Sequence, residues 1–417
     1  MNVRRRSSAA ALAAIAVIGA AAAPAVAADP SPSSSPSKTA PSGLYGTTDP
    51  QYDGVWRQSL ALLAQDTAGV MPSSTAVKWL TDQQCANGAF APFRADPAAA
   101  CDAKTPIDTN NTAAAVQALW AVGGHGDVVE SALGWLKSVQ NKDGGWGYSP
   151  GTPSDANSTS VVIGALTATE TDPEKVVKDG RSPYDALLTF ALPCAKDKGA
   201  GAFAFQPDKD GKLLANADAT AAGVLGALGE GLVAEAADKA DAASCADADK
   251  PTRERAAANA AAYLTATLAK DGHLVSALGG SADQPDYGNT ADAVVALAAQ
   301  GGADQAAEPL AWLEKNAAKW AAESGPAAYA QLIFAAHATG TDPRDFGGTD
   351  LVEKLNATGP APQGAAAKDT ASANADEKSA EKDDDSPFGV WWFVGVCLVF
   401  GIGIGFLLSN RAKKQQS

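Results

Sequence analysis

The sequence predicts an all-α protein: about six buried and six outer helices alternating round a closed ring, with one further apolar helix near the C-terminus. Three observations carry this. The stretches Trp79-Leu80-Thr81-Asp82-Gln83-Gln84-Cys85-Ala86-Asn87-Gly88-Ala89-Phe90 and Trp135-Leu136-Lys137-Ser138-Val139-Gln140-Asn141-Lys142-Asp143-Gly144-Gly145-Trp146 share one grammar. Each is an aromatic-Leu pair, a Gln one turn later, a Gly-containing turn, then an aromatic, and degraded copies recur along the chain, the mark of a repeat architecture. Two kinds of helix alternate, one amphipathic and one apolar nearly all round. The alternation opens on an inner helix and ends on an outer one, so the array can close and needs no polar capping repeat.

In order, Tyr52–Gln65 opens as a buried helix. Outer helices are expected at 74–84, 127–140, 182–193, 251–269 and 305–320, where the aromatic-Leu pairs or their equivalents sit on an amphipathic pattern. Inner helices are expected at Asn111–Leu119, Ser158–Leu166, Asp218–Leu228 and Asn289–Leu297, with Ala327–His337 a looser copy. The Asn, Ser and Asp that open them read as N-caps, whose side-chain oxygens accept from the unpaired N–H groups of the first turn. Thr349–Leu355 supplies the last outer helix. The Gln-to-Gly-to-aromatic segment joins each outer helix to the next inner one: Gly permits the left-handed turn and the aromatic tucks under the neighbouring repeat.

The ends of the chain point outside the cytoplasm. Residues 1–28 combine Arg4, Arg5 and Arg6, an apolar run from Ala9 to Ala23 and a small-residue exit at Ala25-Val26-Ala27-Ala28, as a secretory signal peptide does. Residues 29–42 are a Ser/Pro-rich spacer, 43–359 the helical domain, and 360–386 an acidic stalk too poor in apolar bulk to fold. Residues 387–409 hold no charge and exceed the roughly 20 residues that cross a bilayer. Trp391 and Trp392 lie near one margin, and the short tail 410–417 carries Arg411, Lys413 and Lys414, where the positive-inside rule puts cytoplasmic residues. The expectation is a single-pass cell-membrane protein with its domain extracytoplasmic.

The formal net charge is −15, and the exported part is more acidic still, because six of the basic residues lie in the two terminal segments. An acidic surface excludes nucleic acid, which needs clustered Lys and Arg. Of the five cysteines, Cys397 falls in the apolar C-terminal segment. Cys85, Cys101, Cys194 and Cys245 would be exported, and four cysteines allow three pairings. The local one, Cys85–Cys101 with Cys194–Cys245, staples loops between neighbouring helices and is the expected set. The cysteines lack C-x-x-C spacing and the three histidines are scattered, so no metal is expected.

The segments 79–90 and 135–146 resemble the QW repeats of the prenyltransferase and squalene-cyclase superfamily, with partial copies at Leu188–Phe203 and Tyr263–Leu274. The resemblance implies an α/α toroid over nearly all of 45–358. That fold is also used by complement-like thioester domains and by transcobalamin-like cobalamin-binding domains, so it does not fix function. The catalytic signatures of the enzymes do not carry over. The ring has no Asp-x-Asp-Asp run to protonate an alkene, and Asp383-Asp384-Asp385 lies in the stalk. Nor does it have the Asp-Asp-x-x-Asp that holds magnesium on a diphosphate, the Asp, Cys and His of a zinc prenyltransferase, or a Gly-Cys-Gly-Glu-Gln thioester. Asp208-Lys209-Asp210-Gly211 opens like a calcium loop, but Lys212 and Ala219 stand where ligands belong, so it reads as a polar turn.

By the superfamily's layout the inner-helix N-termini face the ligand. The expected ring-mouth residues are Asp108, Asn111, Trp146, Tyr148, Asp155, Asn157, Asp218, Tyr287, Asn289 and Tyr329. Asn110, Ser158, Thr220, Thr290 and Gln331 lie beside them, with Phe90 and Phe203 on the linking turns. Each has a plain structural alternative, capping for the polar residues and inter-repeat packing for the aromatics. The leading expectation is a toroid that binds a small molecule without catalysis or cofactor. A corrinoid or other vitamin handed to a membrane transporter is the concrete form; a surface protein is the other partner. The alternative is a terpenoid-cyclase-like, prenyltransferase-like or polysaccharide-active surface enzyme using Asp108, Asp155 and Asp218. A pure scaffold is a third reading.

Overall fold

The computed structural model describes residues 41–194, 199–240, 244–247, 252–276, 284–364 and 396–397. The expected signal peptide, nearly all of the expected spacer, most of the expected stalk and the expected cytoplasmic tail therefore lie outside the described residues. So does the expected membrane helix at 387–409, apart from two residues. Among the described residues no helix is long and apolar enough to cross a membrane.

Twelve α-helices run through these residues: α1 Gly54–Thr67, α2 Ser74–Asp82, α3 Thr109–Val122, α4 Gly126–Ser138, α5 Ala156–Ala168, α6 Pro183–Leu188, α7 Ala217–Leu228, α8 Arg253–Leu268, α9 Tyr287–Ala299, α10 Ala303–Ser324, α11 Pro326–Thr339 and α12 Leu351–Asn356. The odd-numbered helices are the inner set. Every residue of α3 from Thr109 to Leu119, and of α5 from Ala156 to Leu166, is buried. The even-numbered helices bury one stripe only; α4 buries Val129, Ala132, Trp135 and Leu136. Each inner helix packs against the next, α1 on α3, α3 on α5, α5 on α7, α7 on α9 and α9 on α11, and α11 packs back on α1. Consecutive inner helices are separated by one outer helix, so they run in the same direction and their N-termini share one end of the ring.

A clasp seals the junction of first and last repeats. Tyr45 Oη lies 3.0 Å from Gln65 Oε1 and 3.1 Å from the Pro360 carbonyl. Gln65 Nε2 donates to Asn356 Oδ1 at 2.6 Å, and the Gly46 N–H donates to the Thr358 carbonyl at 2.9 Å. Burial pushes the Tyr45 hydroxyl pKa up to about 12, so it stays a donor throughout the biological pH range.

The opposite end of the ring is crossed by the connection leaving α7. Gly229 ends α7 in the left-handed region, and the chain then turns inward through Leu232–Val233 (β3). The Leu232 N–H donates to Gln117 Oε1 of α3 at 2.7 Å, while Gln117 Nε2 donates to the Val161 carbonyl of α5 at 3.1 Å. A Cβ on Gly164 of α5 would stand 2.4 Å from Gly231 Cα, so only glycine admits the crossing. β3 also touches α1 and α11, and pairs antiparallel with Val396–Cys397 (β4). This crossing has no counterpart in the sequence-based expectation.

Two smaller departures have local causes. The helix expected at 182–193 ends at Leu188, because the chain beyond it pairs with the following turn. Leu192 donates to the Ala202 carbonyl at 2.8 Å, and Ala204 to the Phe190 carbonyl at 2.9 Å. Ala204–Pro207 (β1) and Leu213–Ala215 (β2) then form an antiparallel hairpin. Its tip holds the calcium-like sequence, and Asp208 Oδ1 accepts from the Asp210 and Lys212 N–H groups at 2.9 and 2.8 Å, a polar turn. The disulfides are Cys85–Cys101 and Cys194–Cys245, the local pairing. Two such bonds mark a chain matured in an oxidising compartment.

Candidate functional site

The inner-helix N-termini are built on one five-residue device used four times. The residue before each helix caps it. Asp108 Oδ1 accepts from the Asn111 N–H at 2.7 Å, Asp155 Oδ1 from Ser158 at 2.6 Å, Asn216 Oδ1 from Ala219 at 2.8 Å and Asp286 Oδ1 from Asn289 at 3.1 Å. Four residues past each cap stands a threonine. Its hydroxyl accepts the N–H of the residue ending the preceding turn: Thr112 from Phe90 at 2.9 Å, Thr159 from Trp146 at 3.1 Å, Thr220 from Phe203 at 3.0 Å and Thr290 from Leu274 at 3.0 Å. Each threonine therefore fastens a turn to the helix that follows it. The repeat glutamines fix the same turns from behind: Gln84 Nε2 donates to the Gly88 and Val128 carbonyls, and Gln140 Nε2 to those of Gly144 and Val176.

These bonds correct the expected helix starts. Asn111, Ser158 and Asn289 are not caps; they occupy the third helical position, and their own N–H groups are what the caps accept. Asp218 is not a cap either. Asn216 holds that role, and Asp218 sits at the second position of α7, equivalent to Asn110 in α3 and Asn157 in α5.

Three of the expected mouth residues are brought together across helices. Asn157 Nδ2 of α5 donates to Asp218 Oδ2 of α7 at 2.6 Å, and the Asp218 charge reaches Asp155. On the α9–α11 side, Gln331 Nε2 donates to both carboxylate oxygens of Asp292 at 3.2 and 3.1 Å. Asp292 was absent from the sequence-based set, although it lies one turn past the Asn289–Thr290 signal.

The amides at this end have a fixed orientation. Asn111 Nδ2 donates to Asp108 Oδ2 at 2.8 Å and Asn289 Nδ2 to Asp286 Oδ2 at 2.8 Å, while Asn157 Nδ2 serves Asp218. An ionised carboxylate accepts only, so while these acids are charged each NH2 must face its carboxylate and each carbonyl oxygen must point away. Those oxygens, Oδ1 of Asn111, Asn157 and Asn289, are buried without a partner, as are Asn110 Oδ1 and Thr109 Oγ1. Buried polar atoms are nearly always bonded, so a cluster of orphans at one end of a ring is unusual.

Asp108 and Asp155 sit here 1 % exposed, bonded to neutral groups. Burial pushes each carboxyl up to about 7, against the lowering effect of the bonds from Asn111 and Ser158; at Asp155 the Asp218 charge adds to the rise. At the rim, Tyr148 is 40 % exposed, and its hydroxyl lies 3.5 Å from Asp108 Oδ2.

The remaining expected residues lie elsewhere in the packing. Trp146 is 1 % exposed, with its indole N–H donated to the Leu136 carbonyl at 2.8 Å, and Phe90 and Phe203 are fully buried. Tyr287 stacks between Trp312 and Trp320 of α10, with ring centroids 5.0 and 5.4 Å away, and His273 extends the stack on the far face of Trp312. Tyr329 is 7 % exposed on α11. Among the described residues no group of three or more His, Cys, Asp or Glu is placed to hold a metal ion.

No family model matches the chain, and no curated protein matches it. Among solved structures it is similar to ent-copalyl diphosphate synthase from Streptomyces platensis, at 16 % identity over 69 % of this chain and 50 % of that one, with a TM-score of 0.46. It thus spans about half the length of that synthase. A protein from Actinoplanes is similar at 15 % identity over 73 % of this chain and 95 % of that one, with a TM-score of 0.45.

Proposed function

We propose that the chain is an extracytoplasmic binding protein whose inner-helix N-termini hold a small molecule without transforming it. The observation that carries this reading is the asymmetry of the ring. One end is crossed by the α7–α8 connection, and the other gathers buried polar atoms whose hydrogen-bonding capacity is unmet. Binding rather than catalysis is favoured because Asp108 and Asp155 already spend both oxygens on capping their own helices. The disulfides suit an exported domain. With the charge-free segment at 387–409 as a membrane anchor, capture for a neighbouring transporter is the natural use, and a corrinoid or other vitamin is the concrete ligand. A surface protein is the second partner class.

A second reading rests on the same two acids. A carboxyl with its pKa near 7 can donate a proton at neutral pH, as a cyclase- or glycosidase-like acid must.

The test is a thermal-shift screen of the full-length protein against vitamins including cobalamins, isoprenoid diphosphates and wall glycans. A ligand at a hundred times its Kd stabilises by about 2.7 kcal/mol. A saturable shift without turnover supports binding; product formation that disappears when Asp108, Asp155 and Asp218 are changed to Asn establishes the enzyme instead.

A further inference from the structure

Most of the unmet hydrogen bonds at the ring's N-terminal end are amide carbonyl oxygens, which only accept, and this gives the ligand a chemistry. The helix N–H groups there, which would otherwise attract an anion, are already taken in part by the carboxylate and amide caps. What is left over accepts at Asn111 and Asn157, while the Thr109 hydroxyl can accept or donate. Asn111 and Asn157 have their NH2 groups committed to carboxylates, so their carbonyl oxygens cannot be exchanged for donors by turning the amide. Asn110 Oδ1 joins them from the second position of α3, the place that Asn157 occupies in α5. Asn110, Asn111 and Asn157 are 4 %, 3 % and 0 % exposed. Behind these oxygens stand Asp108 and Asp155, whose hydrogen-bond donors are all neutral. Buried carboxylates held only by neutral groups favour a cation beside them. The half-exposed Tyr148 adds an aromatic face at the rim, next to Asp108.

We propose that this end of the ring, between α3 and α5, recognises an organic ammonium ion whose N–H groups donate to the side-chain carbonyl oxygens of Asn110, Asn111 and Asn157. The proposal rests on the binding reading above and names the chemistry of its ligand. Tyr148 is the side chain through which such a ligand enters: swung aside, it leaves its place against Asp108 Oδ2 to an incoming N–H.

Calorimetric titration of the full-length protein tests this with four probes. Spermidine carries charge and N–H donors, tetramethylammonium charge without donors, glucose donors without charge, and inorganic pyrophosphate the opposite charge. The expected result is saturable binding of spermidine alone. The double variant Asp108→Asn, Asp155→Asn keeps both caps, since Asn caps as well as Asp, and should bind spermidine about tenfold or more weakly. Tyr148→Phe, at the rim, should retain the fold and change the spermidine affinity as a second check. Spermidine binding that both variants leave intact is surface adsorption and overturns the proposal. Saturable binding of glucose or pyrophosphate in place of spermidine overturns the ammonium chemistry and leaves the binding reading standing. No binding from these probes or from the thermal-shift panel removes both.

Discussion

The threonine clamps make the sharpest quantitative prediction. Thr112 is fully buried; its hydroxyl accepts the Phe90 N–H at 2.9 Å and donates to the Asp108 carbonyl at 2.7 Å. Thr112→Val keeps the shape and removes both bonds. The Asp108 carbonyl still accepts from the Thr112 backbone N–H at 3.4 Å, but the buried Phe90 N–H is left with nothing. Stranding one buried donor costs about 1–3 kcal/mol. With an unfolding entropy of about 2.1 cal/mol/K per residue, a domain of roughly 320 residues loses about 3 °C in Tm for a 2 kcal/mol change. Thr159→Val, Thr220→Val and Thr290→Val should each cost a similar amount, because each strands the N–H of Trp146, Phe203 or Leu274 in the same way. The control is Thr81→Val on α2, whose hydroxyl bonds only to the Lys78 carbonyl of its own helix and should change stability by less than about 0.5 kcal/mol. Differential scanning calorimetry of the five variants decides the matter. If the four clamp variants melt with the control, the hydroxyls do not lock the turns, and the repeat is held by apolar packing alone.

Three further outcomes follow from the same structure. Trp146→Ala should lose about 3–5 kcal/mol in denaturant titration, since the indole is fully enclosed and its N–H is bonded to Leu136. The disulfide Cys194–Cys245 spans 51 residues and Cys85–Cys101 spans 16. The loop-entropy estimate therefore makes the double Ser replacement of the first the costlier, about 4 against about 3 kcal/mol by thermal melting. Asp108 and Asp155 have folded pKa values raised to about 7, above the unfolded carboxylate range, so the native state binds more protons between about pH 4 and pH 7. Their contribution thus favours the fold below the unfolded pKa and is lost as pH rises through the folded pKa. Relative to Asp108→Asn, Asp155→Asn, the parent protein should lose stability across that window; a constant difference from pH 4 to pH 8 would show the carboxyls to be ionised throughout.

Much of the ring was legible because its signals are local. The inner helices are small-residue segments opened by polar residues, and the outer ones carry an amphipathic stripe, so existence and order could be read from the chain. The register of the starts was harder. Asn216-Ala217-Asp218-Ala219-Thr220 offers two capping candidates two residues apart, and Thr220 decides between them by bonding to the Phe203 turn. The spacing from cap to threonine, identical at 108–112, 155–159, 216–220 and 286–290, was the available signal. The crossing at 229–234 left no such trace. Its residues show no period, and its position depends on Gly164, 67 residues earlier by number, meeting Gly231. The Asn157–Asp218 and Asp292–Gln331 contacts were equally hidden, because each joins residues on different helices whose approach the ring sets.

The clasp between Tyr45 and the segment after α12 also fixes when the domain can finish forming. Its two halves are 315 residues apart in the chain, and α1 finds its second inner neighbour only in α11. As the chain emerges from its N-terminus the first helix therefore waits, with one side unpaired, until nearly the whole domain is present. Pairing so distant in sequence is slow to form. A chain cut short before Pro326 would keep that side of α1 bare, an open horseshoe with sticky edges. Intermediates of that kind are the ones that aggregate or exchange repeats between copies. The order in which the chain emerges thus makes its last two helices the guardians of its first.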